Sequence, residues 1–163
     1  MWIWEVKSSW KKIKFLIWCV CHRSIPTLYA FQKKNTYQSL CCFRFLLYEE
    51  TIFHCTRYYS TAKKVWHSLG FTDINFFSKL NLEDWIRTSS TSPSTCLFLA
   101  GVWWNWRTCN FVYVGKETIF LFQVLEETRT LASIMEICFD FQTIISRQLI
   151  LDGCLGIQVL FCS

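Results

Sequence analysis

Apolar and polar positions along the first half of the chain repeat at helical spacing in two places, and this pattern predicts a mainly helical fold. Between Ile13 and Cys21 apolar residues occupy almost every position, which predicts a helix that is buried on most of its faces. Pro26 disfavours helical backbone at the preceding residue, so this helix is expected to end near Ile25. A second short helix is predicted over residues 28–34.

The second clear pattern is an amphipathic helix that begins after Tyr59. Ser60 or Thr61 is a suitable N-cap, and Gly70 is the expected end of the helix. The pattern divides the helix into an apolar face with Ala62, Val65, Trp66 and Leu69 and an opposite face with Lys63, Lys64 and His67. The first face is therefore expected to be buried and the second to meet solvent.

Helical periodicity fails between the two helices, from Tyr37 to Tyr59. Aromatic and β-branched residues are mixed there with Cys, Glu and His. This composition favours a small irregular or β-hairpin insert near residues 40–58 over a further helix.

The second half of the chain is predicted to consist mainly of helices. One or two short helices are expected over Asn75–Arg87, a central helix over Cys96–Trp106, and another over Glu117–Phe139. Val124, Leu131, Met135 and Cys138 form the apolar stripe of the last of these. The stretch Thr88–Thr95 has the composition of a linker and is taken as a boundary, whereas residues 142–163 have no clear period.

Composition excludes several classes of protein. With 52% hydrophobic and 18% aromatic residues, extensive disorder is not expected. No apolar run approaches the roughly 18 residues that a membrane span requires. Lys11, Lys12 and Lys14 before the first apolar run resemble the start of a signal peptide, but charges interrupt the run and no small-residue cleavage site follows it. The protein is therefore expected to be intracellular and without a membrane partner. The ten cysteines are expected to be reduced thiols, because disulfide frameworks are typical of short secreted chains with weak cores.

Positive charge is concentrated in the first half of the chain. Residues 1–70 contain eleven Lys or Arg and three acidic residues. Residues 71–163 contain six Lys or Arg and nine acidic residues. A polyanionic partner is therefore expected to contact the first half, although solvated helix faces explain the same lysines equally well.

Three motifs occur together in a recognisable order. They are WKKIKFLIW at Trp10–Trp18 followed by Ser24–Thr27, ETIFHC at Glu50–Cys55 followed by Ala62 and Val65–Trp66, and WWNWR at Trp103–Arg107 followed by Asn110. Over roughly residues 2–125 they resemble the zinc-binding domain that follows the reverse transcriptase in plant non-LTR retrotransposon polyproteins. The resemblance implies a degenerate domain at residues 1–88, the linker at 89–95, a helical extension at 96–141 and an unassigned tail at 142–163.

The resemblance also implies a zinc knuckle that has lost half of its ligands. Cys42 and His54 occupy the first and third ligand positions of the family, but the second and fourth are Phe45 and Tyr59. A structural zinc site is nearly always four-coordinate, so zinc binding is doubtful. The neighbours Cys41 and Cys55 are substitutes of acceptable chemistry, but adjacent side chains tend to point apart.

No constellation of catalytic residues is evident in the sequence. The dipeptide Asp152–Gly153 matches the start of a ribonuclease H domain only in those two residues, and a turn explains it better. No glycine-rich phosphate loop and no His-Glu-x-x-His motif occur. The chain is therefore not expected to be an enzyme.

The resemblance and the charge pattern together predict a nucleic-acid-associated connector, a fragment without polymerase or nuclease. Binding to RNA or DNA would be nonspecific and would use phosphate contacts from Lys7, Lys11, Lys12, Lys14, Lys33, Lys34, Lys63 and Lys64. Trp10, Trp18, Trp66, Trp103, Trp104 and Trp106 could stack on bases, but core packing is the commoner role of such residues. The alternatives are a decayed reading frame without a selected function and a helical protein-interaction module.

Overall fold

A computed structural model describes residues 11–25, 41–42, 45–49, 51–78, 81–115 and 120–161. Side chains are described for residues 11–25, 51–78, 81–110, 120–140 and 143–144. The protein is mainly helical, as the sequence predicts. The short helix predicted over residues 28–34 lies outside the described residues.

Six α-helices and two short strands make up the described fold. The helices are α1 Lys11–Cys21, α2 Ser60–Ser68, α3 Ile74–Ser78, α4 Leu82–Ser90, α5 Thr95–Gly115 and α6 Leu121–Phe161. The strands are β1 Cys41–Cys42 and β2 Phe45–Glu49, which pair antiparallel. A π-helical turn, His54–Tyr58, precedes α2.

Helix α1 ends four residues earlier than the proline predicts. The amide of Ser24 donates to the carbonyl of Cys19, and the amide of Arg23 donates to that of Val20. These two bonds form a Schellman motif, in which Arg23 has a φ of 52°. The helix is therefore ended by its own C-terminal hydrogen bonds rather than by Pro26. The face with Ile13, Leu16, Ile17 and Val20 is buried, but the prediction that most faces are buried is wrong at Phe15, which is 62% exposed.

Part of the predicted non-helical insert is helical. Residues 52–53 are α-helical and residues 54–58 form the π-helical turn, so the prediction of irregular structure up to residue 58 is wrong there. Thr51 explains the difference, because its hydroxyl accepts a hydrogen bond from the amide of His54 at 3.2 Å, as an N-cap does. The strands β1 and β2 lie in the remainder of that segment.

Helix α2 has the predicted faces but a different beginning. Ala62, Val65 and Trp66 are buried, and Gly70, with a φ of 90°, closes a Schellman motif. The predicted caps at Ser60 and Thr61 are wrong: Tyr59 is the N-cap residue and makes no side-chain capping bond. Because Ser60 is already helical, its hydroxyl is not in the capping position.

The core is built around α5, which packs against α1, α2, α4, α6 and the π-helical turn. A helix contacted on so many sides must be apolar almost all round, which explains the density of apolar residues in residues 96–106. Trp66 is fully buried at the centre, with its ring 5.6 Å from Phe98 and 6.0 Å from Trp85. Gly101 of α5 lies directly against this indole.

The predicted linker is short and packed. Ser89 and Ser90 end α4 and are buried, and the hydroxyl of Thr95 at the start of α5 donates to the carbonyl of Ser90 at 2.9 Å. Residues on both sides, Trp85 and Phe98 among them, belong to the same hydrophobic core.

Helix α6 is longer than its sequence pattern suggests. It begins at Leu121 and continues through the stretch without a clear period as far as Phe161. Val124, Leu131 and Met135 are buried as the stripe predicts. Among the described helices, none combines the length and the apolar character that crossing a membrane requires.

Candidate functional site

The beginning of α2 concentrates positive charge at the surface. Lys63 and Lys64 are exposed, and no acidic residue lies in the first turn. Since no side chain caps this end, the partial positive charge of the helix N-terminus adds to that of the two lysines. The arrangement is suited to an anion such as a phosphate group.

Tyr58 adds an aromatic ring beside these lysines. The ring is 38% exposed, and the ammonium of Lys63 lies 5.9 Å from its centroid. The Tyr58 hydroxyl donates to the carbonyl of Phe77 at 3.1 Å, which holds the ring against α3. We refer to Tyr58, Lys63 and Lys64 as the basic face.

Arg57 lies directly beneath the basic face and is fully buried. Its guanidinium packs 4.1 Å from the ring centroid of Phe53, 4.4 Å from that of Tyr58 and 5.2 Å from that of Trp85. It also donates to the carbonyl of Phe76 at 3.3 Å and to the Tyr58 hydroxyl. Burial lowers the pKa of this arginine below its ordinary value. Arg57 therefore supports the ring of Tyr58 and does not reach solvent.

The role of Arg57 is not evident from the sequence. The one local signal is Phe53 four residues earlier, a spacing that places two side chains on the same side of a helix. The ring of Trp85 comes from α4, which only the tertiary fold brings to Arg57.

The remaining lysines of the predicted interface are divided between described and undescribed parts of the chain. Lys11 and Lys12 are exposed at the start of α1, and Lys14 is half-buried. Lys7, Lys33 and Lys34 lie outside the described residues. Helices α1 and α2 both pack against α5, so both exposed lysine pairs are fixed to the same core.

The candidate metal ligands on the π-helical turn are inside the protein. His54 is 8% exposed and Cys55 is 2% exposed. Burial lowers the pKa of His54, which favours the neutral imidazole that binds metals. Tyr59, at the fourth ligand position of the resemblance, is also buried, and its ring centroid is 5.8 Å from that of His54.

The other two candidate ligands, Cys41 and Cys42, lie on β1, and their side chains are outside the described ones. In the backbone Cys42 pairs with Phe45. The first and second ligand positions of the resemblance are thus direct neighbours in the antiparallel pair. Within the side chains that the structure describes, no three His, Cys, Asp or Glu residues are grouped so that they could hold a metal ion.

The candidate stacking residues are mostly engaged in the fold. Trp66 is in the core, where its indole Nε1 donates to the carbonyl of Thr56 at 2.8 Å. Trp18 is half-buried and stacks on His22 at 4.3 Å between centroids. Trp103, Trp104 and Trp106 are half-buried on α5, and Trp10 is outside the described residues. Tyr58, which the sequence does not single out, is an exposed ring that lies beside lysine.

A cleft of about 430 Å³ opens between the end of α2 and α4. Phe71, Phe76 and Trp85 provide its rings, and Asp73, Asn75, Thr88, Ser89 and Ser92 provide polar groups. The buried Nε1 of Trp85 has no hydrogen-bond partner among the described residues. The sequence does not predict this cleft, because its walls come from three separate segments.

Cys19, Cys21, Cys109 and Cys138 are free thiols. Burial, together with the charge of Glu83, raises the pKa of Cys21 to about 11. This thiol is therefore protonated at neutral pH and is a poor nucleophile.

A comparison of the chain with protein-family models, with curated proteins and with solved structures found no match.

Proposed function

We propose that the protein is a non-catalytic connector module that associates with nucleic acid and derives from the zinc-binding region of a plant retrotransposon polyprotein. The observation that carries this proposal is the basic face, where two exposed lysines, an exposed ring and an uncapped helix N-terminus adjoin. Phosphate contacts of this kind are independent of sequence. The resemblance of the three sequence motifs supports the origin, and an intracellular location belongs to the same proposal.

The exposed aromatic ring favours single-stranded nucleic acid as the partner. Unpaired bases can stack on aromatic side chains, whereas bases in a duplex are already stacked on each other. Tyr58 is held in place by Arg57 and Phe77, so little side-chain entropy would be lost when a base stacks on it. A base on Tyr58 and phosphates on Lys63 and Lys64 form a consistent mode of binding.

Replacing both lysines of the basic face tests this mode. The double variant Lys63→Gln, Lys64→Gln is expected to bind labelled single-stranded RNA roughly tenfold more weakly, because two phosphate contacts are lost. Fluorescence anisotropy at low salt measures the change.

The matched control is Arg87→Gln, Arg129→Gln, which removes the same charge elsewhere. Arg87 is paired with Glu83, and Arg129 donates to the carbonyl of Ser68 at the opposite end of α2. This control is expected to change the affinity by much less. Equal losses in the two double variants would mean that net charge, and not the basic face, controls binding.

Zinc is not expected to be a stoichiometric component of the protein. Phe45 and Tyr59 stand where the resemblance requires Cys, and Cys42 with His54 cannot complete a four-coordinate site. The purified chain should contain well under one zinc ion per molecule by elemental analysis. One tightly held zinc ion that is lost in Cys42→Ala would contradict this expectation.

Restoring the two missing ligands tests the origin of the site directly. Because Cys42 and position 45 are backbone neighbours and position 59 lies beside His54, the double variant Phe45→Cys, Tyr59→Cys is expected to gain one zinc ion per molecule. The variant Phe45→Ser, Tyr59→Ser is the control, because serine has nearly the size of cysteine but is not a zinc ligand. No gain of zinc in the cysteine variant would argue against a knuckle at this place.

A further inference from the structure

Helix α6 extends far beyond the helix against which it packs. It has 41 residues and α5 has 21, so at 1.5 Å per residue they measure about 61 Å and about 31 Å. The short connection between the two helices makes them an antiparallel pair, and α5 can therefore cover only about the first half of α6. The last described residue of α6 that is fully buried is Met135.

Exposed apolar residues recur along α6 from Ile134 onward. Ile134 is 40% exposed, Ile137 is 68% exposed and Ile144 is 63% exposed. At 3.6 residues per turn, Ile137 and Ile144 lie on the side of the helix away from Leu131 and Met135, which face the core, and Ile134 lies at the edge of that side. We call this line, together with the intervening position 141, the apolar seam.

The spacing of the apolar seam is that of a coiled coil. Positions 134, 137, 141 and 144 alternate steps of three and four residues, as the a and d positions of a heptad do, and position 141 is Phe. In the preceding heptad the same positions are Glu127 and Thr130, so the seam starts at Ile134. The helix from Ile134 to Phe161 offers 28 residues, which is the length of four heptads.

The sequence beyond the seam indicates which partner covers it. The same register places Gln148 at an a position, where a polar residue is best paired with its own copy in a parallel dimer. It also places Arg147 at a g position and Asp152 at the following e position. In a parallel two-stranded coiled coil the g residue of one helix faces the next e residue of the other, so these opposite charges would meet twice across a symmetric dimer.

We propose that the apolar seam of α6 is the interface of a parallel homodimer, in which two copies of the chain pair through their last helices. In a symmetric dimer, the second copy supplies the matching heptad, the matching glutamine and the complementary charges. Each copy has its own basic face on α2, so the dimer carries two of them. The interface is independent of the proposed binding to nucleic acid.

Sedimentation velocity of the full chain tests the proposal. The wild type is expected to sediment as a dimer of the 19.5 kDa chain at micromolar concentration. Ile137→Gln is expected to raise the dissociation constant at least tenfold, because an apolar side chain is lost from both copies. The matched control is Phe122→Gln, which removes an equally exposed apolar side chain of the same helix outside the seam.

The alignment of the two helices is tested by reversing charges. Arg147→Asp alone is expected to weaken the dimer, and Arg147→Asp with Asp152→Arg is expected to restore it. A monomeric wild type, an equal effect of Ile137→Gln and Phe122→Gln, or no restoration in the double charge reversal would each overturn the proposal.

Discussion

Trp66→Ala is expected to lower the free energy of unfolding by about 3–5 kcal/mol, the usual cost of removing a large aromatic side chain from a core. Trp66 is fully buried, and its ring contacts those of Phe71, Phe76, Trp85 and Phe98 at 5.1–6.0 Å between centroids. The substitution also removes the hydrogen bond to the carbonyl of Thr56. Urea denaturation followed by circular dichroism measures the loss.

The control for this substitution is Phe15→Ala. Phe15 is also an aromatic residue on a helix, but it is 62% exposed, so its removal is expected to change stability by less than about 1 kcal/mol. Similar losses at the two positions would mean that Trp66 is not at the centre of the core.

Gly101→Ala is expected to destabilise the protein by about 1–3 kcal/mol, because it overpacks the core. A Cβ atom at this position would lie 2.6 Å from Cη2 and from Cζ3 of Trp66. In an open helical position the same change stabilises a protein by roughly 1 kcal/mol, so the sign of the effect is diagnostic. Thermal and urea unfolding of the variant measure it.

A double-mutant cycle tests whether contact with Trp66 causes the destabilisation by Gly101→Ala. Trp66→Phe shortens the ring and removes the atoms that the new methyl group would meet. Gly101→Ala is therefore expected to cost less in the Trp66→Phe background than in the wild type, with a coupling energy of at least about 0.5 kcal/mol. Additive effects would contradict the contact between Gly101 and the indole.

Sequence patterns predict the helices that have one apolar face better than those that are apolar all round. The buried face of α2 and its end at Gly70 follow from residue types at helical spacing. The end of α1 does not, because it depends on Schellman hydrogen bonds with Arg23 in a left-handed conformation that non-glycine residues rarely adopt. The helical conformation of residues 52–58 depends on one capping hydrogen bond, in which the hydroxyl of Thr51 accepts from the amide of His54.

The apolar seam of α6 is not evident from the sequence for a physical reason. Between Leu131 and Ile144 the helix carries two apolar stripes, one toward the core and one away from it, and their sum hides the period of each. The apolar seam becomes visible only when the burial of Leu131 and Met135 assigns the first stripe to the core.

The candidate site is predictable from the sequence only in part, because some of its contacts join residues far apart in the chain. That Lys63 and Lys64 meet solvent follows from the amphipathic pattern, because the opposite face of α2 carries the apolar residues. The placement of Tyr58 depends on Arg57, whose burial needs rings from Phe53 and Trp85. No local pattern brings together residues about thirty positions apart.

The salt dependence of binding to single-stranded RNA tests the central claim most directly. The account predicts that the logarithm of the affinity falls linearly with the logarithm of the salt concentration, by about 0.7 for each phosphate that is neutralised. The slope should be shallower by about 1.4 in the Lys63→Gln, Lys64→Gln variant, which loses two such contacts. An affinity for RNA that does not respond to salt would contradict the claim.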